Sequence, residues 1–180
     1  MALAESLPYG LRDIRLTPVS STGVLGTPVD LPNGRTLSYE ETEDFETLRG
    51  DDRDVASRGK GPQIGWELES GGISLEAYAV LNGGTVTLSG TTPNQIKSYN
   101  KKVTDQRPEF KCEGQAMSES GGDFHTILHR CKATESLAGE LADGTFFLTS
   151  AKGTALASRT AATVDKMYDF VQNETITAIP

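Results

Sequence analysis

A chain of 180 residues has room for one ordinary domain with a real core and little more. Its 25 acidic residues against 17 basic ones leave a net charge of -8, which argues against a groove that holds nucleic acid by neutralising phosphates. The N-terminus shows neither a basic nor an apolar signal region, no stretch approaches the roughly 20 apolar residues of a membrane helix, and Cys112 and Cys131 are too few for a disulfide framework. The expectation is a reduced, cytosolic protein with no membrane insertion.

Along the chain, period-two alternation is far commoner than helical spacing, so a mainly β protein is expected, a β-sandwich or half-barrel. "RDIRLTPV" sets Ile14 and Leu16 on one face against Asp13 and Arg15 on the other. The Asn33-Gly34 pair in "VDLPNGRTLSY" then predicts a hairpin turn before Leu37 and Tyr39 resume the alternation. Residues 40–62 follow as a long extended loop dense in charge, with Phe45, Leu48 and Val55 spaced through it like anchors. From Glu40 to Glu69 ten acids face four bases, so six of the eight net negative charges lie here. Such a segment is either a solvated loop or one ordered by a neighbouring subunit, and the three apolar anchors favour the second.

"QIGWELE" aligns Ile64, Trp66 and Leu68 on a buried face and Glu67 and Glu69 on the opposite one. Residues 73–82 form a short helix between glycine pairs, with Ile73, Ala77, Val80 and Leu81 as a packing stripe, Glu76 in its first turn and Gly83 at its stop. Further strands are expected over 84–90, 110–117, 124–134, 144–157 and in the terminal "YDFVQNETITAI", with Trp66, Phe146 and Phe147 the clearest buried aromatics.

Arg49-Gly50-Asp51 spells an adhesion-type tripeptide, but a match of three residues without an export signal is weak. His125, Ile127, His129 and Cys131 would share one strand face, and with Cys112 nearby they mimic a zinc set. The spacing is wrong for paired-cysteine sites, so a structural role is preferred and no metal or cofactor is expected. Nothing resembles a nucleophile elbow, a phosphate loop or a differentiated carboxylate pair, so no enzyme is expected.

The order and spacing of "LRGDD", "VA", "IGWELESGGISLEAYAVLNGG" and the terminal "YDFVQNETITAIP" resemble the major tail protein, or tail tube protein, of long-tailed non-contractile bacteriophages, especially those of actinobacterial hosts. The resemblance spans most of the chain, residues 91–110 and 118–143 contributing little. It implies a single tail tube domain over residues 1–180, homo-hexameric rings stacked into a tube, and an arm over about 40–62 that reaches an adjacent ring. Phe45, Leu48, Arg49, Asp51, Asp52, Arg53 and Val55 would make those contacts, with Trp66, Leu68, Ala77, Val80 and Leu81 in the core. Glu67 and Glu69 are the candidate lumen-facing acids, since a bore that conducts DNA must repel it. Implied partners are other copies of the chain and the tape measure, terminator and distal tail proteins, in a virion assembled in the host bacterial cytoplasm. The alternatives are a tail terminator, a contractile-tail inner tube subunit, or a β-sandwich that binds a carbohydrate or host-surface ligand.

Overall fold

A computed structural model describes residues 5–72, 74–135, 137–138 and 141–179. In chain order the elements are β1 (Pro8–Val19), β2 (Val29–Asp30), β3 (Gly34–Gly50), β4 (Arg53–Gly71), α1 (Leu75–Asn82), β5 (Thr85–Ser89), β6 (Ile96–Asn100), β7 (Glu109–Ser118), β8 (Asp123–Ala133), β9 (Leu148–Ala155) and β10 (Tyr168–Asn173). The protein is mainly β, with one short helix and antiparallel strands throughout.

The main sheet runs β2-β1-β7-β8-β9-β4-β3, with β10 also on β8, while β5 and β6 form a separate two-stranded ribbon. The fold turns on β8, which forks. Its first half pairs with β10, from Asp123 against Asn173 to Leu128 against Tyr168, and its last residues pair with β9, from Cys131 against Ala155 to Ala133 against Gly153. The fork folds the strands into two layers, β1-β7-β8-β10 and β9-β4-β3, that face each other across the core. Gly153 sits at the junction, where any Cβ would lie 2.0 Å from the Lys132 carbonyl and 2.7 Å from the Trp66 ring, so only glycine lets β9 approach β8.

Between the layers, Ile14, Leu16, Phe110, Cys112 and Leu128 from one side meet Ile64, Trp66, Leu68, Ala151 and Ala155 from the other. Trp66 and Phe110 meet edge-on with ring centroids 5.5 Å apart. Full burial of such large side chains stabilises by about 1.5–3 kcal/mol each. The expected alternation in "QIGWELE" holds, with Ile64, Trp66 and Leu68 buried and Glu67 and Glu69 half-exposed.

Helix α1 begins where the Ser74 hydroxyl accepts the Ala77 N–H at 3.3 Å and ends where Gly83 donates its N–H to the Ala79 carbonyl at 2.9 Å. Ala77, Val80 and Leu81 are buried in the core, as the stripe predicts; Ile73 lies outside the described residues. Glu76 pairs with Lys97 of β6, and that hydrogen bond lowers its carboxyl below the ordinary value.

Several expectations are corrected. The Asn33 turn exists, with φ 57, but it does not join hairpin partners: β2 pairs back onto β1, and β3 pairs with β4. Leu37 and Tyr39 find their matching alternation in Leu68 and Trp66, which the two-residue β2 cannot offer. The strand expected over 144–157 enters the ladder only at Leu148, because residues 143–145 form a turn; Phe146 is therefore 93% exposed. His125, Ile127, His129 and Cys131 do not share one face. An extra residue of β8 between Leu128 and Cys131 shifts its register against β7 and turns Cys131 into the core opposite Phe110, while His125 stays on the far face opposite Gln115.

Candidate assembly surface

The charged segment at residues 40–62 is extended, as expected, but paired: it is the outer half of the β3–β4 hairpin, in register from Gly34 against Ser70 to Gly50 against Arg53. At the tip Asp51 and Asp52 have φ of 51 and 60, the double left-handed conformation of a two-residue type I′ turn, which short polar side chains tolerate. β4 leaves its other neighbour at Ile64, the last residue paired with β9. From there the hairpin runs on as a two-stranded ribbon for about 30 Å at about 3.3 Å per residue. Apart from the half-exposed Gly50 and Gly59, the whole of it is exposed.

One bulge sits at its root. The register shifts between Glu43 and Phe45, where Gly61 takes φ 101 and its N–H reaches the Glu43 carboxylate at 3.3 Å. Pro62, which cannot donate to a ladder, stands beside this irregularity. A second shift lies between Leu48 and Arg49. These bulges bend and twist the ribbon without ending it.

Little within the ribbon holds it. Arg49 pairs with Asp54 at 2.8 Å and Lys60 with Glu46 at 3.6 Å, both in open solvent where such pairs contribute at most about 1 kcal/mol. Phe45, Leu48 and Val55 are 65, 64 and 60% exposed. A free two-stranded ribbon is marginally stable in water, and this one carries three exposed large apolar side chains. Of the residues singled out in the sequence, Phe45, Leu48, Arg49, Arg53 and Val55 lie along this arm and Asp51 and Asp52 form its tip.

The arm's root is fixed by a cluster absent from the sequence reading. Tyr39 stacks on Tyr168 at 6.4 Å and lies 5.5 Å from Phe170, which in turn stacks on Phe124 at 5.7 Å. The Tyr168 hydroxyl donates to Glu41 at 2.8 Å, a bond that raises the phenol's pKa. Strand alternation gave no sign of it, because the rings come from β3, β8 and β10.

Glu67 and Glu69 occupy the outer face of the β9-β4-β3 layer and are not free acids. Glu67 pairs with Lys152 at 3.0 Å and Glu69 with Arg35 at 3.2 Å. The Glu67 hydrogen bond raises the Lys152 pKa.

The described residues contain no group of three or more His, Cys, Asp or Glu able to hold a metal ion. Instead the histidines are satisfied singly: His125 reaches Asp123 at 3.1 Å and His129 reaches Asp169 at 3.0 Å, with burial keeping His129 below its usual pKa. Both cysteines are free and fully buried, and burial pushes the Cys112 thiol up to about 12. Native protein should therefore resist a thiol reagent such as DTNB at pH 8 and release about two equivalents only after denaturation. Rapid labelling of the folded protein would contradict this burial.

The far face of the other layer carries a polar hub. Asp123 is fully buried and accepts from Gln115 at 2.5 Å, from the Thr177 amide at 2.9 Å and from Asn173 at 2.8 Å, with His125 at 3.1 Å. Gln115 also donates to the Thr177 carbonyl at 2.9 Å, and Arg15 donates to the Ile179 carbonyl. These bonds strap residues 174–179 across β7 and β8. Burial alone would raise the Asp123 carboxyl, but the four hydrogen bonds outweigh it and hold the pKa at about 2.

No helix among the described residues is long and apolar enough to cross a membrane. No family model and no curated protein matches the chain. Among solved structures it is similar to a chain in the cryo-EM structure of the anti-feeding prophage baseplate, 6-fold symmetrised, at 10% identity and a TM-score of 0.45, over 95% of this chain and 97% of that one.

Proposed function

We propose that this protein is a structural, self-assembling subunit of a phage tail, forming stacked hexameric rings through which DNA is delivered. The observation that carries this reading is the projecting β3–β4 arm, an ordered ribbon whose large apolar side chains Phe45, Leu48 and Val55 stand mostly exposed. A ring also covers sheet edges that a lone sandwich leaves open, here β3 and β10, each paired on one side only. The net charge of -8 suits a conduit, because an acidic bore lets phosphates slide where a basic one would release counterions and trap them. The virion, the terminator, tape measure and distal tail partners, and assembly in the host cytoplasm follow from the sequence resemblance. Negative-stain microscopy of the purified protein tests the reading: rings or tubes support it, and single particles at every concentration overturn it.

In this arrangement Glu67 and Glu69 line the bore. Glu67→Lys with Glu69→Lys would set two new cations beside Lys152 and Arg35 and lose two solvent-exposed ion pairs. Rings should persist while DNA ejection slows markedly, since the bore then attracts phosphate. Ejection at the normal rate from phage carrying both changes would place this face outside the bore.

A second reading, a β-sandwich that binds a carbohydrate or host-surface ligand, draws on the cluster of Tyr39, Tyr168, Phe170 and Phe124, with Tyr39 and Phe170 exposed. Saturable glycan binding that Tyr39→Ala and Phe170→Ala abolish would favour it.

A further inference from the structure

The hairpin changes character at one short step. On the inner side it is held from several directions: Ile64 is fully buried and paired with Ala155 of β9, Tyr39 stacks on Tyr168, and Glu41 accepts the Tyr168 hydroxyl. Beyond Glu43 the ribbon is exposed apart from the half-exposed Gly50 and Gly59. Between the two regimes lies Gly59-Lys60-Gly61-Pro62, where β4 carries one residue more than β3. Glu43 faces Pro62 and Phe45 faces Gly59, so Lys60 and Gly61 together stand opposite Asp44.

The residues of this step suit rotation. Pro62 fixes its own φ on the body side, while Gly61 sits at φ 101 with no atom within 4 Å of the place a Cβ would take, which leaves it room to turn. Two contacts cross the step. Lys60 pairs with Glu46 at 3.6 Å in open solvent, where the pair adds little. The Glu43 carboxylate accepts the Gly61 N–H at 3.3 Å and lies where a Cβ of Gly59 would stand, so glycine at residue 59 is what lets it seat. We propose that the Glu43–Gly59–Gly61 bulge is a clamped hinge that sets the direction of the arm. With the carboxylate seated the arm stands at one angle to the body; with it removed the outer ribbon swings as a unit about Gly61. A hinge needs only a few positions that absorb a change of φ and ψ while the parts on either side stay folded. Direction matters to any contact the arm makes, because an angle fixed beforehand need not be ordered on association. The hinge is a property of the free chain, so it stands apart from the assembly reading and is tested without it.

Spin labels on Arg53→Cys beside the tip and Thr154→Cys on β9 read the angle as a distance in dilute, unassembled protein. Thr154 lies opposite Gly65, twelve residues from Arg53, so the labels stand about 40 Å apart at about 3.3 Å per residue. Cys112 and Cys131 are fully buried and should take no label. The otherwise unchanged protein and Glu43→Gln, which keeps an acceptor oxygen on a side chain of equal length, should give one narrow distance. Glu43→Ala and Gly59→Ala should each lose it for a broad distribution reaching to shorter distances, and the double variant should be no broader, since both changes remove the same contact. In Glu43→Ala the Gly61 amide should exchange with solvent faster by about tenfold or more, the effect of losing a hydrogen bond to a charged acceptor. Exchange over residues 45–48 and 56–58 should stay as in the wild type. The same distribution in all of these proteins would overturn the clamp. Faster exchange across the ribbon in step with the broadening would overturn the hinge, because the ribbon would then be fraying rather than swinging.

Discussion

Replacing residues 42–61 by a brief Gly/Ser linker should give a folded, β-rich protein that forms no tubes. The core needs nothing from that segment: it is built by Ile14, Leu16, Ile64, Trp66, Leu68, Phe110, Cys112 and Leu128, with Ala77, Val80 and Leu81 of the helix, and the first core residue of β4 is Ile64. The linker spares Tyr39 and Glu41, which root the arm against Tyr168 and Phe170. What disappears is the contact surface. Phe45, Leu48 and Val55 would each contribute about 1.5–3 kcal/mol on full burial against a neighbour. Ordering a loose loop costs about 1–2 kcal/mol per residue, enough to erase that gain, but the arm is already a paired ribbon with a type I′ tip. Pre-organisation leaves a modest surplus for each subunit, which in the proposed ring several copies acting together would multiply. Circular dichroism and electron microscopy of the linker variant decide the matter. Tubes of normal length would refute the arm's role, and an unfolded product would assign the segment to the subunit's own core.

The body of the fold was legible where burial is one-sided. Ile14 and Leu16, the Ile64-Trp66-Leu68 row and the helix stripe of Ala77, Val80 and Leu81 each imposed a clean period, and each is buried as that period requires. The arm was legible as a special segment but not as a hairpin. Exposed on both faces, it has no apolar alternation to read, and its turn is Asp51-Asp52 rather than the familiar Asn-Gly. β6, "IKSYN", escaped notice for a similar reason: its partner β5 supplies the pairing, and its burial is slight. Phe146 misled in the opposite sense, because an aromatic pair beside a strand looks like core until the turn at 143–145 holds it outside the ladder. On β8 a single extra residue put His125 and Cys131 on different faces, which no periodicity announces. Pairings between distant strands were least accessible of all. Glu67 with Lys152, the groove lined by Arg35 and Phe146, and the hub at Asp123 each join residues far apart in the chain.

That hub sets the second large effect. Asp123→Ala should cost about 1–3 kcal/mol, since it takes the shared acceptor from one Gln115 N–H, from Asn173 and from the Thr177 amide in a part-buried site and loosens the strap at residues 174–179. Thermal unfolding should show the loss, and limited proteolysis should clip the C-terminal segment first. The wild-type charge also predicts a pH dependence of definite sign. Asp123 has a pKa of about 2 in the folded protein against 3.8 ordinarily, so the folded state holds the proton less tightly than the unfolded one. Its contribution is complete above about pH 4, then falls away as the pH drops from 3.8 towards 2, by about 2 kcal/mol in all at about 1.4 kcal/mol per pH unit. Asp123→Asn keeps one acceptor and removes the charge, so its stability, measured by denaturant unfolding, should stay flatter across that window than the wild type's. Parallel acid profiles for the two proteins would show that the carboxylate at Asp123 does not tie the strap down.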